Sequence, residues 1–311
     1  MKAVLQYRAT PGFRTRISEL ELDAAWLRIV VVDEADKLTF AREMQGADVL
    51  LHVLEPVKAA TIDAAANLKL IQKLGIGVDT IDLDAARRRG IAVCNMPGTN
   101  SRAVAELTLL LMLATLRRLA ELDVQTRAGK GWSLDSDSLD NLCELGGRTV
   151  GLVGFGAVGR CLTPMLQGVG AKVIYTDVST PGGTTFKDLL SGADVVSLHL
   201  PLTPDTAHMM NASAFASMKR GSILINTARG GLVDEAALLS ALSSQQLRGA
   251  GLDVFASEPV GSENPLLKLP NVVVTPHLAW FTSETLARSL GVFQENCRRL
   301  RDGEALINRV V

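Results

Sequence analysis

Short runs of β-branched and aliphatic residues alternate with longer stretches of helical periodicity along the whole chain. Parallel sheets covered on both faces by helices produce this pattern. The first series of expected strands is Lys2–Gln6, Arg28–Val32, Ala47–Val53, Leu68–Lys73 and Ala92–Asn95. Helical stretches such as Pro56–Ala66 and Ile81–Arg89 lie between them, the second closed by Gly90 at a C-cap position. A second series follows at Thr149–Val153, Lys172–Thr176, Asp194–Leu198, Ser222–Asn226, Gly251–Val254 and Val272–Thr275. Six such strands suffice for a doubly wound dinucleotide-binding sheet.

Between the two series the pattern predicts one long helix, Ser101–Arg127, entered through NMPGTN and expected to bridge two domains. A last helix, Ser283–Arg301, is expected to return to the first domain, which would make that domain discontinuous. The expected division is residues 1–98 with 286–311, and residues 99–285. The polar stretch Ser133–Asn141 is expected to be an exposed loop.

Composition narrows the function. Of 311 residues 47% are hydrophobic, 4% aromatic and 21% charged, with 32 basic against 33 acidic side chains. A formal charge of −1 with scattered Lys and Arg leaves no footprint for nucleic acid or an anionic membrane surface, so the expected ligand is small. The longest apolar run, Leu107–Leu116, falls short of the ~20 residues of a spanning helix. Arg8 precedes any signal-like apolar core, so a cytoplasmic protein is expected. Cys94, Cys143, Cys161 and Cys297 lie far apart, matching neither a zinc site nor a disulfide framework, and no metal is expected.

The segment TVGLVGFGAVGR places Gly154, Gly156 and Gly159 in G-x-G-x-x-G spacing, after an expected strand and at the start of an expected helix. The first glycine permits the tight turn, the second lets backbone N–H groups approach a pyrophosphate, and the third lets helix and sheet pack closely. Asp177 ends the next strand, where a carboxylate accepts hydrogen bonds from ribose hydroxyls and repels a 2′-phosphate. Val178 and Ser179 follow with no Arg to receive such a phosphate, which favours NAD over NADP.

A nicotinamide enzyme acting on a carbonyl needs a proton donor, a partner for that donor and a cation to fix the substrate. Of four histidines, His277 follows the sixth strand at the carboxyl edge, where open α/β sheets bind ligands. Glu258 leaves the preceding strand at that edge and is expected to reach His277, favouring its imidazolium form. Arg229 follows the strand SILIN, and its planar fork suits a carboxylate. Singly, each is more often a surface salt bridge or cap. Their succession along one edge argues for chemistry.

The stretches KLGIGVDTIDLDAARRRGIAVCNMPGTNSRAVAE, GLVGFGAVGR, SLHLPLTPDT, INTARGGLVDEAAL, GLDVFASEP and TPHLAW resemble the D-isomer-specific 2-hydroxyacid dehydrogenase family, from about Ala47 to Val292. The resemblance implies a Rossmann NAD-binding domain inserted into a flavodoxin-like substrate domain, and a catalytic Arg229, Glu258 and His277. It further implies that Ile76 and Gly77 offer backbone N–H groups to a substrate carboxylate and that Asp253 holds the nicotinamide carboxamide. Ala157, Val158, Leu200, Pro201, Thr227 and Ala228 are implied to line the cofactor. The implied reaction interconverts a small D-2-hydroxy acid and its 2-oxo acid, glyoxylate or hydroxypyruvate-like, with His277 as acid and base and domain closure excluding water. The implied assembly is a homodimer built around the long helix after NMPGTN.

Three departures stand out. His52 occupies the place of an Arg in phosphoglycerate-specific members, so an unphosphorylated substrate is expected; the bland reading of His52 is a strand-end residue. Trp280 resembles an aromatic of the hydroxypyruvate and glycerate-type members, as a pocket wall or as ordinary packing at a helix start. Only the 15 residues Val178–Gly192 separate the second and third strands of the cofactor domain, where the family has a longer excursion, so a more open adenosine side is expected. A competing reading is a dinucleotide-sensing regulatory module like the C-terminal-binding-protein corepressors. Retention of all three catalytic residues favours an enzyme.

Overall fold

The computed structural model describes residues 1–133 and 142–311, so the expected polar loop lies, apart from Ser133, outside the described residues. The backbone gathers into two compact units, Met1–Asn100 with Phe281–Val311, and Ser101–Trp280.

In the first unit β1 (Lys2–Gln6), β2 (Arg28–Val32), β3 (Val49–His52), β4 (Leu70–Lys73) and β5 (Ala92–Cys94) form one parallel sheet in the order β2-β1-β3-β4-β5. This is the flavodoxin-like order, with its switch point between β1 and β3. The helices α1 (Pro11–Asp23), α2 (Lys37–Met44), α3 (Ala59–Ala64) and α4 (Leu83–Arg88) link the strands. β3 and β4 start two residues later than the apolar runs suggest, because Asp48 is spent on a turn. Its carboxylate accepts from the Lys2 amide at 2.9 Å and from Lys69 Nζ at 3.0 Å.

Edge strand β5 is covered by the chain terminus. Val93 N donates to Val311 O, Val310 N to Val93 O and Asn95 N to Asn308 O, which occupies groups that would otherwise template a foreign strand. The C-terminal helix, Ser283–Asp302, is tied to the same sheet through a buried amide pair. Asn296 Nδ2 donates to Gln72 Oε1 at 2.7 Å, and Gln72 Nε2 donates to Cys94 O at 3.2 Å.

The second unit holds β6 (Thr149–Val153), β7 (Lys172–Thr176), β8 (Val195–Leu198), β9 (Ser222–Asn226), β10 (Leu247–Leu252) and β11 (Val272–Val274), parallel throughout, in the order β11-β10-β9-β8-β6-β7. Its helices are α5 (Ser101–Leu116), α6 (Leu119–Arg127), α7 (Ala157–Gly168), α8 (Phe186–Gly192), α9 (Ala212–Ser217) and α10 (Glu235–Ser243). Side chains alternate across the sheet with period two. Ile223 and Ile225 pack on one face with Leu111, Met112 and Leu162, and Leu224 between them packs on the other with Phe215, Leu238 and Leu242. Each such side chain contributes roughly 1.5–3 kcal/mol on burial.

The expected helix Ser101–Arg127 is two helices. α5 packs over β9, β10 and β11 and along α7, all inside the second unit. It ends where Arg118 turns left-handed, at φ 50°, and the Leu116 carbonyl is taken by the Cys143 amide. β10 begins at Leu247 rather than Gly251, because Arg248 and Gly249 break the apolar run and the register shifts between Leu247 and Gly249. β7 is an edge strand, since its short connection to β8 has room for α8 but no further strand. Among the described residues no helix is long and apolar enough to cross a membrane.

Candidate active site

Three consecutive strands of the second unit, β9, β10 and β11, end at one edge, and each delivers one chemically active side chain. Asn226 closes β9 fully buried and folds the following turn upon itself, its Oδ1 accepting from Ala228 N at 3.0 Å and its Nδ2 donating to Arg229 O at 2.9 Å. Arg229 stands at the apex of that turn, one guanidinium nitrogen donating to Ala228 O at 2.7 Å.

After β10, Glu258 Oε1 accepts from Phe255 N at 2.9 Å, and Oε2 accepts from His277 Nδ1 at 2.6 Å. Burial raises the Glu258 pKa, but the bond to His277, its charge, the Phe255 amide and the charge of Arg229 together outweigh that and hold it below the usual carboxylate range. The carboxylate is therefore ionised and aligned. With Nδ1–H committed to Glu258, Nε2 is the ring atom left to exchange a proton with a substrate. His277 is held at φ 54°, a left-handed conformation uncommon for a non-glycine residue, with its amide donating to Asp253 O at 2.7 Å.

Asp253 is 1% exposed and organises this loop. Oδ1 accepts from Thr275 Oγ1 at 2.6 Å and Leu278 N at 2.9 Å, and Oδ2 accepts from Ala279 N at 2.9 Å. Burial raises its pKa, opposed by those three donors. Sequence reasoning missed this anchoring role, for which spacing carries no signal. Trp280, next in the chain, is largely buried.

The cofactor motif sits between β6 and α7. Gly154 has φ +99°, and a Cβ there would lie 2.6 Å from His199 O, so the turn admits no side chain. A Cβ on Gly159 would lie 2.9 Å from Gly154 O, whereas one on Gly156 would meet nothing within 4 Å. Two glycines are thus dictated by packing and the middle one keeps a space open in front of the α7 N-terminus, which fits a dinucleotide pyrophosphate. Asp177 ends β7 facing this turn, with Oδ2 accepting from Phe155 N at 2.7 Å and Oδ1 from Ser179 N and Thr180 N, each at 2.8 Å. The Phe155, Ser179 and Thr180 bonds hold its pKa below the usual range. Thr227 is buried against α5, its hydroxyl 2.8 Å from that of Thr108. Leu200 packs beside Gly154, and Val158 packs into the core under α7.

In the first unit, the loop after β4 carries Ile76 and Gly77. Met96 N donates to Gly75 O at 2.8 Å and Asn95 Nδ2 to Ile76 O at 2.9 Å, which fixes the loop. His52 is interior, 3% exposed, its Nε2 donating to Glu55 O at 2.7 Å. Burial, followed by the charge of Lys73, lowers its pKa to about 3, so the ring is neutral and offers no charge to an anion. Its surroundings are those of a strand-end residue. Cys94 and Cys297 are buried, their thiols pushed up to about 11 and about 12 by burial.

A parallel sheet with a glycine turn, a carboxylate at the end of the neighbouring strand and an Arg–Glu–His edge defines a dinucleotide-binding α/β protein of the dehydrogenase kind. Residues 109–279 match the family described as "D-isomer specific 2-hydroxyacid dehydrogenase, NAD binding domain", and the chain belongs to that family. It is similar to a glyoxylate reductase of Korarchaeum cryptofilum, 36% identical over 89% of this chain and 87% of that one. It is also similar to a D-3-phosphoglycerate dehydrogenase of Mycobacterium leprae, 41% identical over 88% of this chain, though it spans only 53% of that protein's length. Among solved structures, the NAD complex of an NAD-dependent formate dehydrogenase from Staphylococcus aureus superimposes with a TM-score of 0.90 at 27% identity, over 100% of this chain and 99% of that one.

Proposed function

We propose that this chain is an NAD-dependent oxidoreductase that interconverts a small D-2-hydroxy acid and its 2-oxo acid, of the glyoxylate or hydroxypyruvate kind. The observation that carries the reading is the 2.6 Å bond between His277 Nδ1 and Glu258 Oε2, on the edge that also presents Arg229. An enzyme needs that aligned, ionised pair; a dinucleotide-sensing module does not.

When bound, NADH supplies hydride to the substrate's carbonyl carbon. Arg229 holds the carboxylate with its planar fork and sets which face of the carbonyl is presented. His277 gives the Nε2 proton to the carbonyl oxygen as charge develops there, and Glu258 keeps the tautomer and balances the imidazolium before transfer. In the oxidative direction neutral His277 takes that proton back. The first unit's part in the proposal is the pair of amides at Ile76 and Gly77, as donors to the substrate carboxylate. Asp253 is proposed at the nicotinamide end, Asp177 at the ribose, and Ala157, Val158, Leu200, Pro201, Thr227 and Ala228 along the cofactor. The neutral, buried His52 favours substrates without a phosphate, and Trp280 beside the His277 loop favours small ones.

Scanning NADH oxidation over short 2-oxo acids tests the reading, repeated with His277→Ala and Arg229→Ala. Expected is turnover of glyoxylate or hydroxypyruvate that falls at least ~100-fold in the His277 variant. Undiminished turnover there removes His277 as the acid.

We also propose a cytoplasmic homodimer joined through α5 and α6. Leu110, Leu113, Leu119 and Val124 are exposed on these helices, at 52%, 37%, 54% and 67%. A monomeric mass by light scattering would exclude it.

A further inference from the structure

The loop that carries Glu258 begins and ends in the core, with Phe255 and Leu266 buried beside Leu238 of α10. Between them Ala256, Ser257, Glu258 and Pro259 are exposed, so apolar packing does not fix the Glu258 carboxylate. A second carboxylate reaches both ends of this loop. Glu235 opens α10, and its Oε1 accepts from Ala256 N at 2.7 Å while its Oε2 accepts from Asn264 Nδ2 at 3.0 Å. Asn264 Oδ1 in turn accepts from Leu266 N at 3.0 Å, which sets that amide with its NH2 toward Glu235. One side chain thus closes loop 256–264 and ties it to α10.

An acidic residue in the first turn of a helix ordinarily serves that helix, by offsetting its dipole or accepting from its free amides. In α10 the capping is done by Asp234, whose Oδ1 accepts from Ala236 N at 3.0 Å and from Ala237 N at 3.1 Å. Both Glu235 oxygens are turned to the loop instead. Ala256 directly follows Phe255, whose amide donates to Glu258 Oε1 at 2.9 Å. Two neighbouring amides therefore grip two different carboxylates, and a shift of one amide moves the other.

We infer that Glu235 is a positioning residue of the active site: by clasping loop 256–264 it holds the Glu258 carboxylate on His277 Nδ1. Glu235 acts through the Ala256 amide and Asn264 and takes no part in proton transfer. Released, the loop lengthens the 2.6 Å bond between His277 Nδ1 and Glu258 Oε2, and a misplacement on the order of 1 Å costs an aligned pair much of its rate. The inference rests on the reading of Glu258 and His277 as the acid pair. Because the loop carries the orienting carboxylate and not the substrate's own contacts, the loss falls on kcat rather than on KM.

Steady-state kinetics with glyoxylate and hydroxypyruvate, NADH binding by fluorescence and Tm test this on the full chain. The variants are Glu235→Ala, Glu235→Gln, Glu258→Gln and the double variant of Glu235→Ala with Glu258→Gln. Expected in Glu235→Ala is a kcat ~10-fold lower, with KM and the Kd for NADH each within ~3-fold of the parent. Glu235→Gln keeps a carbonyl oxygen for Ala256 N and should lose no more than ~3-fold in kcat. In the Glu258→Gln background, Glu235→Ala should cost less than ~2-fold, because the carboxylate it positions is gone. A full ~10-fold loss in that background overturns the inference, since a merely structural defect lowers kcat whatever stands at Glu258. Equal losses in Glu235→Ala and Glu235→Gln, or an unchanged kcat in a Glu235→Ala protein that Tm shows to be folded, also overturn it. An unchanged kcat in Glu258→Gln alone overturns the reading of the acid pair itself.

Discussion

Gly230 lies directly against Phe255, so close that a Cβ on the glycine would overlap the Phe255 carbonyl carbon. This contact locks the turn that presents Arg229 onto the segment that leads to Glu258, so the two side chains share one rigid support. Gly230→Ala must push the turn and that segment apart. Overpacking of this kind costs about 1–3 kcal/mol, so a lowered Tm is expected together with a loss in kcat/KM larger than stability alone explains. An unchanged kcat/KM in a folded variant would show that the contact does not set the site.

Glu258 acts only through His277, and that dependence is measurable. Glu258→Gln removes the charge while keeping the shape, and kcat should fall by roughly 100-fold. In the His277→Ala background the same change should cost almost nothing, because there is no imidazole left to orient. Additive losses would mean that the carboxylate has a second role of its own.

Most strands were legible because a doubly buried parallel strand is a continuous apolar run, as in Thr149–Val153 and Ser222–Asn226. β10 extends beyond its apolar run because Arg248 and Gly249 sit in a register shift that only pairing with β9 reveals. The edge placement of Arg229, Glu258 and His277 followed from strand order. The surroundings that define each group did not. That His52 is walled in, that Asp253 is a loop anchor and that Glu235 reaches Ala256 all depend on contacts between distant segments, which periodicity does not encode. The Arg118 break has no glycine or proline to announce it.

One buried and one partly buried imidazole give the fold an acid-side weakness. Burial lowers the pKa of His199, which bonds Ser197 Oγ at 2.9 Å, to about 4, and burial with the Lys73 charge lowers that of His52 to about 3, against 6.5 ordinarily. The unfolded chain therefore takes up protons that the folded chain refuses. This contribution is complete above pH 6.5 and is lost as pH falls below it, by up to about 2 kcal/mol per histidine at pH 5. Urea midpoints measured from pH 7.5 to pH 5 should decline. The decline should flatten in His199→Asn and in His52→Gln, and equal slopes in all three proteins would assign the acid sensitivity elsewhere.

Asp253→Asn separates two roles for one carboxylate. Its Oδ1 takes two donors and its Oδ2 a third, all from the segment that carries His277. An asparagine can keep its oxygen on the first pair only by turning an NH2 toward the Ala279 amide, a donor facing a donor, at a cost of about 1–3 kcal/mol. The loop then relaxes, and a displaced His277 loses its line to the substrate. If anchoring is the main role, kcat falls ~10- to 100-fold while the Kd for NADH, read by fluorescence, stays near that of the parent. If the carboxylate instead holds the nicotinamide carboxamide, the Kd for NADH rises with the fall in kcat. A variant with both kcat and Kd unchanged would leave Asp253 without either role, despite its three bonds.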